Sequence, residues 1–168
     1  MTAVIVNTTG HEWFVDHPGS DDRPRLDRLF GACSPDTVYQ RFFGRLNALP
    51  PGYVHELLAG PPDLHDAVLV RCGGGQEVVG LASLAAGSDA GPGIADLGVL
   101  VADAGQRRGM GTAMIGALLA RARSRGIERI SASVLPQRPQ LLAALARRVE
   151  LERVCREPDC LTGIYRLR

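Results

Sequence analysis

The chain contains no lysine, and all 19 of its basic residues are arginine. A nucleotide-binding P-loop ends in Gly-Lys-Ser/Thr, so that class is excluded at once. Against 18 acidic residues the formal net charge is only +1, which leaves no general electrostatic footprint for nucleic acid. Arginines do thicken between Arg107 and Arg129, but their spacing along an amphipathic helix reads as a solvated face. No uninterrupted apolar run approaches the roughly 20 residues that span a bilayer, and the N-terminus has no basic-then-apolar signal pattern. A cytoplasmic protein with no membrane partner is expected. The four cysteines, Cys33, Cys72, Cys155 and Cys160, lack the paired short spacing of a metal site and the density of a disulfide scaffold, so reduced thiols are the default. Cys155 and Cys160 flank Glu157-Pro158-Asp159, a turn that would let them face each other across a hairpin. His11, His17, His55 and His65 show no metal-ligand spacing either, and no metal site is expected. Lysine's full replacement by arginine, with abundant Ala and Gly, points to a GC-rich bacterial genome. Repeats and low-complexity linkers are absent as well, and 168 residues suit one domain spanning 1–168 with its own core.

Hydrophobic spacing orders the rest. A first strand is expected over Ala3–Asn7 and helices over Asp22–Phe30 and from Ser34-Pro35, with Ser34 as N-cap, Pro35 in the first turn and Gly44 as terminator. A short helix after Pro50-Pro51-Gly52 carries Val54, Leu57 and Leu58. Ala67–Cys72 and Glu77–Leu84 read as a hairpin joined by Gly73-Gly74-Gly75, followed by a surface connection of small residues over Ala85–Gly93. A strand over Ile94–Val101 holds Asp96, and Gly98 within it suggests a bulge. Thr112–Arg125 is helical, with Ile115, Leu118, Leu119 and Ala122 on one face and Gly126 as its C′ residue. Ile130–Pro136 is a strand, Leu141–Arg148 an amphipathic helix, and Leu151–Arg156 and Leu161–Leu167 two closing strands. Strands and helices so interleaved predict one mixed α/β domain with a largely antiparallel sheet.

Between the Ile94–Val101 strand and the helix after it lies Gln106-Arg107-Arg108-Gly109-Met110-Gly111-Thr112. Two glycines permit a sharp backbone turn, so several N–H groups can converge on one anion where the helix begins. The helix dipole adds on the order of 0.3–1 kcal/mol per charge near the surface, and Arg107 and Arg108 add two fixed cations. A dinucleotide fingerprint would need a third glycine, but Thr112, Ala113 and Met114 follow. The plain alternative is a glycine-rich turn with solvated arginines.

The Gln/Arg-x-x-Gly-x-Gly/Ala pattern of this loop resembles the pyrophosphate loop of GNAT N-acyltransferases. Ala95–Asp103, the loop, the helix closing at Arg125-Gly126-Ile127 and the strand Ile130–Pro136 together resemble a GNAT core. Upstream, Ser34-Pro35-Asp36-Thr37-Val38-Tyr39-Gln40-Arg41-Phe42-Phe43-Gly44 is similar to the bacterial protein-lysine acetyltransferase (Pat-like) branch. The resemblance implies an α/β (α+β) GNAT fold, a mixed, mostly antiparallel twisted sheet flanked by helices. It also implies acetyl-CoA as co-substrate, held by the backbone of Val99, Leu100 and Val101 and by Gln106, Arg107, Arg108, Gly109, Met110, Gly111 and Thr112. Arg138 stands where the family often carries asparagine, so a CoA-contacting amide is replaced there by a cation within reach of phosphate. A homodimer is common among similar proteins.

Acyl transfer from a thioester to an amine needs a held acyl-CoA, a neutral amine and stabilisation of the developing oxyanion. A lysine-type ammonium, which in water titrates at about pH 10.4, must first lose a proton to a carboxylate or a water chain. Asp96, five residues before Val101, stands where the resembling branch carries a glutamate and is the leading base. Its other reading is a hydrogen-bonded or ion-paired strand residue. Glu77, at the start of the neighbouring strand, is the second candidate base. Many GNAT enzymes place a thiolate-protonating tyrosine on the helix after the Val134 strand, but Leu141–Arg148 has none, and Tyr165 reads as a packed residue. The expected activity is acetyl transfer to a primary amine such as a protein lysine. A small-amine acetyltransferase and a non-catalytic acyl-CoA-binding module are the alternatives.

Overall fold

The computed structural model describes residues 12–87 and 91–167 and the backbone of 3–6. Its strands are β1 (Ala3–Val6), β2 (Glu12–Asp16), β3 (His65–Cys72), β4 (Glu77–Ala86), β5 (Ile94–Val101), β6 (Arg129–Val134), β7 (Glu150–Arg156) and β8 (Leu161–Arg166). The helices are α1 (Arg23–Gly31), α2 (Pro35–Phe42), α3 (Pro51–Ala59), α4 (Met110–Ser124) and α5 (Pro139–Ala146). All eight strands form one sheet in the order β1-β2-β3-β4-β5-β6-β8-β7. Only β5 and β6 run parallel among the described strands. The α4 crossover between them supplies the long connection that a parallel pair requires.

Proline opens four of the five helices, at Pro24, Pro35, Pro51 and Pro139. There its missing N–H costs nothing and its fixed φ suits the first turn. Ser34 caps α2 by accepting from the Thr37 N–H at 3.2 Å. Strand alternation sends side chains to two faces and so builds two cores. On one, Met110, Met114, Leu118, Leu119 and Ala122 of α4 and Leu142 and Leu145 of α5 pack over Val68, Val70, Ala82, Leu84, Ala95 and Leu97. On the other, Leu26 and Leu29 of α1 and Val54 and Leu57 of α3 pack over Leu69, Val78, Leu81 and Leu100.

Several boundaries differ from the sequence reading, each for a local reason. Phe43, not Gly44, terminates α2, in the left-handed region at φ 55°. β4 extends through Ala86, because Ala86 still pairs with Ala95; residues 88–90 of the expected connection lie outside the described residues, as do Asn7 and His11. Gly98 makes no bulge, since the β4–β5 register runs unbroken from Gly80↔Val101 to Ala86↔Ala95. α4 starts two residues early, at Met110, because Gly109 at φ 83° serves as its N-cap. Cys155 sits opposite Thr162 rather than Cys160, and all four cysteines are free.

Candidate active site

The loop after β5 turns through two left-handed residues, Arg107 at φ 61° and Gly109 at φ 83°. A non-glycine residue there carries strain of order 1–3 kcal/mol, a feature that concentrates at functional sites. The turn leads into α4, whose first backbone N–H groups have no intrahelical acceptor and no side-chain cap from Gly109. Arg107, Arg108 and Gly109 are exposed beside them, an arrangement whose donors and charges suit an anion seat. Met110 is 5% exposed and packs into the core, so only its backbone belongs to the seat.

The seat opens into a cleft of about 410 Å³ lined by Asp96 and Leu97 to Val101 of β5, Gln106, Gly111, Thr112 and Arg138. Its cause is a fork in the sheet. β5 and β6 pair from Ile94↔Arg129 to Leu97↔Ala132 and then part. The Ala102 N–H donates to Val79 O at 3.0 Å, so alternation points Leu100 and Gly98 backbone groups toward β4 and those of Val99 and Val101 into the gap. The Val101 carbonyl is already met there by the Gln106 side-chain amide at 3.1 Å. That amide also donates to Thr37 Oγ1 at 3.1 Å and ties α2 to the loop. Asp103 fastens the same helix by accepting the Ser34 N–H at 2.9 Å, which is the first cause holding its carboxyl below the usual range. Opposite β5, Arg138 presents a buried Nε with no hydrogen-bond partner, a donor that lacks an acceptor.

Asp96 lies at the closed end of the fork, half-buried, and its Oδ1 accepts from Ser131 Oγ at 2.8 Å. Glu77 is not brought to the cleft. It pairs with Cys72 at the other end of β4, whereas Asp96 pairs with Ala85; eight residues of strand separate them, roughly 25 Å. Cys72, whose thiol is pushed up first by burial, feels the Glu77 charge next. Tyr165 is fully buried and donates to Leu142 O at 2.9 Å, and burial pushes its hydroxyl up to about 12. Among the described residues no group of three or more His, Cys, Asp or Glu is placed to hold a metal ion. No helix of those residues is long and apolar enough to cross a membrane.

The sequence reading missed much of the cleft lining, including four residues with a charge, a hydroxyl or an aromatic ring. Arg41 and Phe43 come from α2 and its end, Ser133 from β6 and Arg148 from beyond α5. Their signal was weak, since a helix read only for its apolar stripe says nothing of what its polar side approaches. Another hollow of about 410 Å³ lies beside Asp16, Asp22 and Arg71, but there Arg71 is paired to Asp16 at 3.0 Å and to Asp22 at 2.7 Å. Its charges satisfy each other.

The forked sheet, with the left-handed loop at the mouth of the fork, has counterparts among known proteins. The profile of the acetyltransferase (GNAT) family matches residues 28–148. The chain belongs to the GNAT acetyltransferase family and is an acyltransferase. Among solved structures it is similar to the GNAT domain of S. lividans PAT, at 25% identity over 99% of this chain and 97% of that one, with a TM-score of 0.85. A cAMP-binding acyltransferase from Mycobacterium smegmatis shares 19% identity and a TM-score of 0.65; the match covers 100% of this chain but 48% of that one. The ribosomal-protein-S5-alanine acetyltransferase of Vibrio fischeri shares the fold at 14% identity, a TM-score of 0.70 and coverage of 92% and 93%. No curated protein matches the chain.

Proposed function

We propose that the chain transfers an acetyl group from acetyl-CoA to a primary amine, with the thioester drawn into the fork between β5 and β6. The observation that carries this reading is the alignment of three features along one strand: the left-handed loop, the opened edge and the half-buried carboxylate. Arg107 to Thr112 bind the pyrophosphate through backbone N–H groups, and Gln106, whose own N–H is donated to Asp103 O, holds the loop in place. Arg107 and Arg108 add charge, and Val99 and Val101 offer strand-like hydrogen bonds to the pantetheine arm. Arg138 satisfies its stranded Nε on a polar group of that arm. Leu100 contributes packing, since its backbone is turned to β4.

Asp96 removes the proton that keeps an ammonium from attacking, directly or through one water. As the amine nitrogen bonds to the acetyl carbon, the carbon–sulfur bond breaks and CoA leaves as a thiolate that takes up a proton from water. The nitrogen gives up its second proton to solvent and Asp96 passes on the first, so that against the proton taken up by the thiolate one proton is released in net. A cytoplasmic, bacterial setting, where acetyl-CoA is at hand and thiols stay reduced, goes with this reading.

Calorimetry with acetyl-CoA tests the binding half. Saturable binding by the folded protein that is lost in Gly109→Trp and Gly111→Trp is expected; no binding, or equal binding by the variants, overturns it. Thiol release above background with an amine panel tests the transfer half. Binding without release for any amine makes the protein a non-catalytic CoA module.

A further inference from the structure

Arg41 enters the cleft with no ion-pair partner among the described residues. Its position is nonetheless fixed. The guanidinium carbon lies 4.7 Å from the centre of the Phe42 ring and 5.5 Å from that of Tyr53. Nη2 donates to the Tyr53 hydroxyl at 3.2 Å, which in turn meets Ser83 Oγ at 3.1 Å. Below it is Gly98, the β5 partner of Ser83, and a Cβ at residue 98 would overlap the guanidinium. Glycine at that position lets an arginine lie flat on the strand.

A half-buried cation without a counter-charge is costly unless an anion comes with the ligand. The phosphates of acetyl-CoA are not that anion. Their seat belongs to α4, which packs on the sheet face of Val99 and Val101, whereas Arg41 lies with Gly98 on the face covered by α1 to α3. Asp96 shares the Gly98 face, two residues away, about 6.6 Å along the strand. A carboxylate and a guanidinium so spaced suit the two poles of a zwitterion. Phe43, 37% exposed in its left-handed conformation, stands at the cleft as an apolar wall beside them.

We infer that the acceptor is an amino acid, or a small amine with a carboxylate one or two carbons from its nitrogen, whose carboxylate Arg41 binds while its amine is presented to Asp96. This rests on the acetyl-transfer reading above and narrows its acceptor. A guanidinium–carboxylate contact is charge-assisted and can be bidentate, so it should be felt chiefly in KM.

The test uses the wild-type chain at saturating acetyl-CoA with matched sets: free amino acids, their carboxamides, their decarboxylated amines and lysine-containing peptides. Free amino acids should exceed their carboxamides in kcat/KM by about 10- to 100-fold. Arg41→Gln should erase that preference with acetyl-CoA affinity unchanged, and Arg41→Lys should keep part of it. Carboxamides or lysine peptides used as well as or better than free amino acids would overturn the inference while leaving acetyl transfer intact. So would an Arg41→Gln loss equal for both members of a pair, which would make Arg41 a structural stack alone. Failure of transfer to every amine would remove both readings together.

Discussion

Asp96 and Ser131 are register partners across the one parallel pair among the described strands, and the serine hydroxyl donates to the carboxylate at 2.8 Å. The bond orients the candidate base at the point where the fork closes. Asp96→Asn keeps the shape but removes the proton acceptor, so turnover should fall by about 10²–10⁴ with acetyl-CoA binding unchanged. Ser131→Ala removes only one orienting hydrogen bond, worth about 1 kcal/mol, and should slow turnover by less than about tenfold. Asp96→Glu, the residue of the resembling branch, should retain or raise activity. Steady-state rates over several pH values, beside a calorimetric control, read all three; wild-type turnover in Asp96→Asn excludes it as base.

Tyr165 is the tyrosine nearest in sequence to α5, and its hydroxyl is spent on the Leu142 carbonyl in the core. Tyr165→Phe should therefore cost about 1 kcal/mol of stability and leave kcat unchanged. Denaturant unfolding and a rate measurement separate the two effects, and a large loss of kcat at unchanged stability would give the hydroxyl a chemical role.

Buried charge away from the cleft predicts acid sensitivity. Asp22 and Arg71 are 3% and 8% exposed and hydrogen-bonded at 2.7 Å. The Arg71 hydrogen bond is the first cause holding the Asp22 carboxyl below the usual range. Because the folded-state value is depressed, its stabilisation is complete above the unfolded carboxyl's value, about pH 4, and is lost as pH falls through the lower folded value. Asp22→Asn leaves Arg71 less well paired and should destabilise the fold by roughly 3 kcal/mol near neutral pH. The gap between variant and wild type should shrink below about pH 4, read by urea unfolding across pH.

The order of strands and helices was legible because it rests on local signals: proline at helix starts, Ser34 as cap, the triple-glycine turn and alternating apolar residues. The loop and Asp96 were legible because residue type and spacing on one strand carry the geometry with them. Glu77 was misplaced in the reading, as adjacency of strands does not say which ends lie together until the register is known. Arg41 was invisible as a cleft residue for a related reason. Its place depends on α2 crossing β5 at Gly98, a contact between residues far apart in the chain, and the glycine that permits it was read as a bulge.

That pairing of Arg41 with Gly98 gives the sharpest prediction. A methyl group at residue 98 would occupy the space of the guanidinium, yet the obstacle is the far end of a flexible side chain, which can move aside. Gly98→Ala should therefore fold, with β5 still paired to β4, while Arg41 is displaced from the Tyr53 hydroxyl. If Arg41 sets the acceptor, Gly98→Ala should reproduce Arg41→Gln: preference for a free amino acid over its carboxamide is lost, and acetyl-CoA affinity, set by the loop after β5 and by Val99 and Val101 backbone groups that the substitution leaves in place, is kept. The measurement is the ratio of kcat/KM for one such pair in the folded variant. An undiminished ratio in Gly98→Ala, with Arg41 shown by a crystal structure to have moved, would free acceptor choice from Arg41 altogether.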